Sequence, residues 1–124
     1  MLHGKKILIV DDNDLNIFAL SATLKPKGPK LFTAKDGLEC LHFLRNNEPV
    51  DVVLLDMMMP VMDGYQTLEE IRKDEHLKNT LIISLTAQAM LGDDEKCLKA
   101  GANDYCSKPV DIDVLLKKIC KLIL

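Results

Sequence analysis

The sequence predicts an α/β domain built on a mostly parallel sheet with helices on both faces. Two observations carry this. Five short aliphatic runs, KILIV, KLFTA, DVVLL, TLIISL and the weaker DYCS, alternate with stretches whose apolar residues recur at helical spacing. The runs are continuous rather than alternating apolar with polar, which is the pattern of strands buried on both faces. A chain of 124 residues, nearly half of them apolar, fits one domain, expected over residues 1–124, with a core that needs no disulfide or structural metal.

Taken in order, KILIV is the first strand. The stretch after it places Leu15, Phe18, Ala19 and Ala22 on one helical face, and Pro26 closes it. KLFTA follows as the second strand. A turn at Asp36-Gly37 then opens DGLECLHFLRNN, with Leu38, Cys40, Leu41 and Leu44 inward. DVVLL is the third strand; beyond it Asp63-Gly64 reads as a turn into a helix carrying Tyr65, Leu68 and Ile71, with Gly64 supplying backbone freedom. TLIISL is the fourth strand, followed by a helix with Leu91, Cys97 and Leu98 that stops at Gly101. DYCS is the fifth strand. The tail DIDVLLKKICKLIL turns Ile112, Leu115, Leu116, Ile119 and Ile123 inward, with Asp111 as N-cap and lysines on the opposite face.

Composition excludes several classes of function. A net charge of −3 and a pI near 5.6 argue against direct nucleic-acid contact, which wants a basic face. No apolar run approaches a membrane span, and MLHGKKILIV is too short for a signal peptide. Cys40, Cys97, Cys106 and Cys120 form no C-x-x-C pair, so they read as reduced, buried or half-buried residues of a cytoplasmic protein. No P-loop, G-x-S-x-G or H-E-x-x-H occurs, and His3, His42 and His76 have no evident partner set. An EF-hand reading of DNDLNI fails, because Ile17 stands where the glycine belongs and Thr23 where the glutamate belongs.

In an open parallel sheet, ligands bind beyond the carboxyl ends of the strands, where strand order reverses. The residues after the aliphatic runs are therefore the ones to inspect. They are Asp11, Asp12, Asn13 and Asp14 after the first run, Asp56 after the third, Thr86 after the fourth, and Ser107, Lys108 and Pro109 after the fifth. Asp14 is best explained as a helix-start acid, and Met57 and Met59 as packing. Asp11, Asp12 and Asp56 brought together repel one another, so one takes up a proton or a cation sits among them. Carboxylates, a carbonyl and waters make an oxygen site suited to Mg²⁺ or Mn²⁺. A phosphate could then approach, with Lys108 and the metal cancelling its charge, and Asp56 could attack it to form an aspartyl-phosphate. Thr86 and Lys108 could each hold a phosphoryl oxygen.

The set ILIVDDN, VVLLDMMMPVMDGY, IISLTA and ANDYCSKP resembles the receiver domain of bacterial two-component response regulators across essentially the whole chain. The resemblance implies a doubly wound, flavodoxin-like sheet of five parallel strands in order 2-1-3-4-5 with five helices. It makes Asp56 the phosphoacceptor, with Asp11, Asp12, Asp56 and the carbonyl of Met58 holding Mg²⁺. Thr86 resembles the family's switch hydroxyl, Lys108 its phosphate-binding lysine and Tyr105 its switch aromatic, and the Lys108–Pro109 bond is expected to be cis. VDDNDLN and MPVMDG look most like receivers of hybrid sensor kinases, which implies a sensor histidine kinase or a histidine phosphotransfer protein as partner. A homodimer through the fourth helix, fifth strand and fifth helix fits the same family. The chain departs from the family at KPKGPKLF, which leaves the length of the second strand open. On this reading the domain is a signalling module rather than an enzyme.

Two other readings share parts of this pattern. A haloacid-dehalogenase-type, Mg²⁺-dependent aspartyl-phosphate phosphatase wants a second Asp two positions after Asp56, where Met58 stands, and room for a cap domain. A flavodoxin-like nucleotide or flavin binder would not place acids after its first strand. A receiver acting as an unphosphorylated docking module is the remaining alternative; it has no need of the full set of site residues.

Overall fold

The computed structural model describes residues 2–87 and 93–124. Its elements alternate strictly: β1 (Lys6–Val10), α1 (Asp14–Leu24), β2 (Lys30–Ala34), α2 (Gly37–Asn46), β3 (Val52–Asp56), α3 (Gly64–Lys73), β4 (Ile82–Thr86), α4 (Asp93–Lys99), β5 (Asp104–Ser107) and α5 (Ile112–Ile123). The five strands form one parallel sheet in the order β2-β1-β3-β4-β5. This is the doubly wound order, and its reversal of direction lies between β1 and β3.

Alternating side chains send each central strand into two cores. Ile7, Ile9, Val52, Leu54, Ile83 and Leu85 face α1 and α5, where Leu20, Leu24, Leu115 and Ile119 cover them. Leu8, Val10, Val53, Leu55 and Ile82 face the other side, under Cys40, Leu41 and Leu44 of α2, Leu68 and Ile71 of α3, and Cys97 of α4. Every residue of β3 and β4 is buried, which is why both read as aliphatic runs. The cysteines are free thiols, three of them buried and Cys120 half-buried; desolvation pushes the Cys40 thiol up to about 12.

Short polar side chains start α1, α2, α3 and α5. Asn13 caps α1, accepting from the backbone of Leu15 and Asn16; Asp36 caps α2; Asp111 caps α5. Asp63 and Gln66 form a capping box on α3. Asp14 is the first-turn acid of α1, as its position predicts. α4 ends before Gly101, whose φ of +117° is a left-handed conformation open to glycine. Arg72 ties the turn that follows to α3, donating to the carbonyls of Gly101, Lys78 and Thr80 and to Asn103 Oδ1.

Four details differ from the sequence reading. α1 is apolar almost all round, so two stripes satisfy helical spacing. The inward one is Ile17, Leu20 and Leu24, while Leu15 and Phe18 are 78% and 72% exposed. Leu38 and Leu98 also face outward, the adjoining Cys40, Leu41 and Cys97 having taken the buried positions; Leu91 lies outside the described residues. KPKGPKLF contains a single 3₁₀ turn, Lys25–Lys27, that absorbs Pro26 and leaves β2 at full length, ending at Gly28 with φ +99°. Gly64 serves close approach rather than backbone freedom. A Cβ there would lie 2.5 Å from Met57 Cα, so glycine lets the start of α3 press against the chain just after Asp56.

Candidate functional site

β1 and β3 are adjacent, and their carboxyl ends open at the point where strand order reverses. Asp56 is the last residue of β3 and Thr86 the last of β4, each one step inside its strand rather than beyond it, because the ladder continues through Asp56–Leu85 and Thr86–Ser107. Asp11 follows β1 directly, its N–H donating to the Ala34 carbonyl of β2. Rigid neighbouring strands therefore carry the two carboxylates side by side.

Asp11, Asp12 and Asp56 come together as predicted. One carboxylate oxygen from each lies within 4.8 Å of the others; Asp11 and Asp56 are buried and Asp12 is exposed. Lys108 joins them, its Nζ 3.1 Å from Asp11 Oδ2 and 3.2 Å from Asp56 Oδ1. A cis peptide joins Lys108 to Pro109, and the Lys108 N–H donates to the Thr86 carbonyl at 2.7 Å. That bond fixes the β5–α5 loop against the end of β4 and aims the lysine across the sheet. The Met58 N–H donates to Asp56 Oδ1 at 3.1 Å while its side chain points outward. The loop beyond bends sharply: Val61, 80% exposed, has φ +68°, a conformation a β-branched residue rarely takes.

The electrostatics follow from burial and from these contacts. Burial raises the Asp56 carboxyl above the ordinary carboxylate range and the neighbouring Asp11 charge adds to this; the Met58 N–H and Lys108 pull the other way without cancelling it. For Lys108, burial favours the neutral amine, but the hydrogen bonds and charges of Asp11 and Asp56 outweigh it and hold the ammonium above its usual value. The two directions are compatible: the site wants a cation more than it wants three ionised acids. An all-oxygen donor set of this kind suits a hard divalent ion, and the carboxylate trio could hold one.

Thr86 is buried at the carboxyl end of β4, and Tyr105 stands on the neighbouring β5, half-buried. The Tyr105 ring lies beneath Lys118 of α5, whose Nζ is 4.5 Å from the ring centroid and bonds Asp104 Oδ1 at 3.1 Å. Sequence reasoning gave Lys118 no part here, because its contacts depend on how α5 docks. It likewise missed Asn16, whose side-chain amide donates to Asp11 Oδ2 at 3.3 Å, although a polar residue on the first turn beside two acids was a visible sign.

Comparison with known proteins agrees with this geometry. The family profile of the response regulator receiver domain matches residues 7–120. The chain belongs to that family. A polar-differentiation response regulator of Brucella ovis is 31% identical over 115 residues, covering 93% of each chain. The crystal structure of a Pseudomonas aeruginosa sensor histidine kinase receiver, which has a magnesium ion coordinated in its active-site cleft, is similar with a TM-score of 0.88. It is 37% identical over 97% of this chain and 98% of its own. A co-crystal of the Saccharomyces cerevisiae histidine phosphotransfer protein Ypd1 with the receiver of its downstream regulator Ssk1 matches with a TM-score of 0.88. Identity there is 28%, over 99% of this chain and 91% of that one. Membership makes this chain a receiver of two-component signalling. Among the described residues no helix is long and apolar enough to cross a membrane.

Proposed function

We propose that this receiver takes a phosphoryl group from a phosphohistidine onto Asp56 and uses the resulting aspartyl-phosphate as a signal. The observation that carries the reading is the double contact of Lys108 with Asp11 and Asp56 inside a cluster of three carboxylates. An Asp56 oxygen attacks phosphorus, the P–N bond breaks, and the electron pair leaves with the imidazole nitrogen of the donor. Burial makes the Asp56 carboxylate more basic than an exposed one, and the Lys108 ammonium beside it favours the ionised form. Asp11, Asp12, Asp56 and the Met58 carbonyl would hold Mg²⁺, and the Pseudomonas relative has such an ion coordinated in its own cleft. Bound there, the ion supplies positive charge against the phosphoryl oxygens. Lys108 shifts from the carboxylates to one phosphoryl oxygen, and Thr86 donates to another.

The donor is a sensor histidine kinase or a histidine phosphotransfer protein. The yeast co-crystal supports this partner class. So do the exposed apolar side chains of Leu15, Phe18, Met58 and Val61, which lie on the first two turns of α1 or in the loop after β3. Movement of Thr86 toward the phosphoryl group lets Tyr105 turn inward, altering the face of α4, β5 and α5. The domain is a switch in the cytoplasm, with no substrate beyond its phosphodonor.

Intact-protein mass spectrometry after incubation with acetyl phosphate and Mg²⁺ tests the chemistry. One phosphoryl group should be gained, and neither Asp56→Asn nor an EDTA-treated sample should gain it. Equal phosphorylation of Asp56→Asn would refute the assignment.

A further inference from the structure

Asp11 is completely buried, and a carboxylate in that position needs every donor it has. Three reach it. The Asn13 N–H donates to Oδ1 at 2.9 Å; Lys108 Nζ at 3.1 Å and Asn16 Nδ2 at 3.3 Å both donate to Oδ2. Two of these donors belong to the start of α1, where the Asn13 side chain also accepts from the Asn16 N–H at 3.1 Å. The cap thus holds the Asn16 backbone while its side chain turns back over the acid.

From this arrangement we infer that Asn16 is a positioning residue for Asp11, holding its carboxylate in the orientation that binds the metal while Lys108 is engaged elsewhere. The inference deepens the proposed function and rests on it. Lys108 is shared between Asp11 and Asp56, so a phosphoryl group on Asp56 draws the lysine away from Asp11. Of the two described donors on Oδ2, Asn16 would then be the one that remains. The residue type matters as much as its place. An amide orients the carboxylate without adding charge, whereas a lysine or arginine here would compete with the cation for Asp11. The amide itself does not titrate. Such outer contacts orient metal ligands and set affinity in other metal sites. Asn16 is exposed and lines a groove of about 290 Å³ between α1 and the Lys108–Val110 segment, so it can be replaced without opening the core.

The test is an NMR shift titration with MgCl₂ on the wild-type chain, Asn16→Leu, Asn16→Ala and Asp11→Asn, joined to acetyl phosphate labelling rates across the same Mg²⁺ range. Asn16→Leu keeps the shape of the side chain and removes the donor; Asn16→Ala removes both. Each should bind Mg²⁺ about tenfold more weakly than wild type, with an unchanged fold in the same spectra. The half-saturating Mg²⁺ for labelling should rise in parallel, while the rate at saturating Mg²⁺ stays within about threefold of wild type. Affinity within twofold of wild type in both variants overturns the inference. A saturated rate that falls as far as the affinity also overturns it, by placing Asn16 in the transfer step. If wild type binds Mg²⁺ no better than Asp11→Asn, the metal-site reading itself fails, and that outcome is separately visible.

Discussion

Lys108 and Asp11 stand 97 positions apart in sequence, yet Nζ and Oδ2 are 3.1 Å apart. The contact closes the site from the far side of the sheet, since Lys108 follows β5 at one edge and Asp11 follows β1 next to the other. It also leaves the metal-free protein balanced on one ammonium among three acids.

Removing that ammonium should therefore cost stability. Lys108→Met should unfold at lower urea than wild type in EDTA, by about 1–3 kcal/mol, because a buried carboxylate pair loses its cation. Lys108 is raised when folded, so its stabilisation is fully present below its ordinary value of 10.5 and fades as pH rises through the higher folded value. Mg²⁺ should recover more stability in the variant than it adds to wild type. A variant as stable as wild type in EDTA at neutral pH would contradict this balance.

Asp56→Asn should have the opposite effect on the metal-free protein. Burial raises the Asp56 carboxyl, so ionising it opposes folding, and asparagine removes that penalty while its oxygen still accepts from the Met58 N–H. In EDTA at pH 7 the variant should be the more stable of the two, because ionising a carboxyl held above its ordinary value takes free energy from the folded state. A raised folded value means the wild-type chain regains this stability as it takes up the proton. The gap should close as pH falls from the folded value toward 3.8, the ordinary value. Urea melts at several pH values decide it; a variant less stable than wild type at pH 7 would show that the Lys108 contact outweighs burial.

Arg72 offers a stability prediction away from the site. Its guanidinium bonds three carbonyls and Asn103 Oδ1, joining α3 to the turns that lead into β4 and β5. Arg72→Met should cost about 3 kcal/mol, lowering the melting temperature by roughly 10 °C for a chain of this size. Arg72→Lys should recover little, since one ammonium cannot match the planar fork. Thermal melts followed by circular dichroism would show it, and full recovery by lysine would refute the geometric argument.

How much of this was legible beforehand depended on the kind of signal. β1, β3 and β4 read cleanly because aliphatic runs and flanking polar residues mark a buried strand, whereas β2, buried only at Ala34, left its length open; Asp11, Asp56, Thr86 and Lys108 stood out as polar residues at strand ends. The order of the strands came only with the family resemblance, since periodicity says nothing of which strands are neighbours. The face of α1 was misread because Leu15 and Phe18 obey helical spacing as well as Ile17, Leu20 and Leu24 do. Apolar residues that face solvent beside a site look like core residues in sequence. Lys118 was invisible for another reason, and Asn16 showed its polarity but not its partner: the contacts with Tyr105 and Asp11 are set by how a helix docks on the sheet.

Lys118 supplies the last prediction. Its ammonium lies over the Tyr105 ring and also bonds Asp104 and the Tyr105 carbonyl, so it favours the ring position seen here. An exposed cation–π contact is worth about 0.5–1 kcal/mol. Lys118→Met should therefore shift the unphosphorylated chain two- to fivefold toward the inward position of Tyr105, if that ring is the switch. The Tyr105 ring resonances of the variant should move part of the way toward those of wild type phosphorylated by acetyl phosphate. Asp104→Asn weakens the hold on Lys118 from its other side and should move them in the same direction by less. Ring resonances that stay at their wild-type positions in Lys118→Met, while phosphorylation still moves them, would mean that packing against β4, and not the lysine, holds the ring.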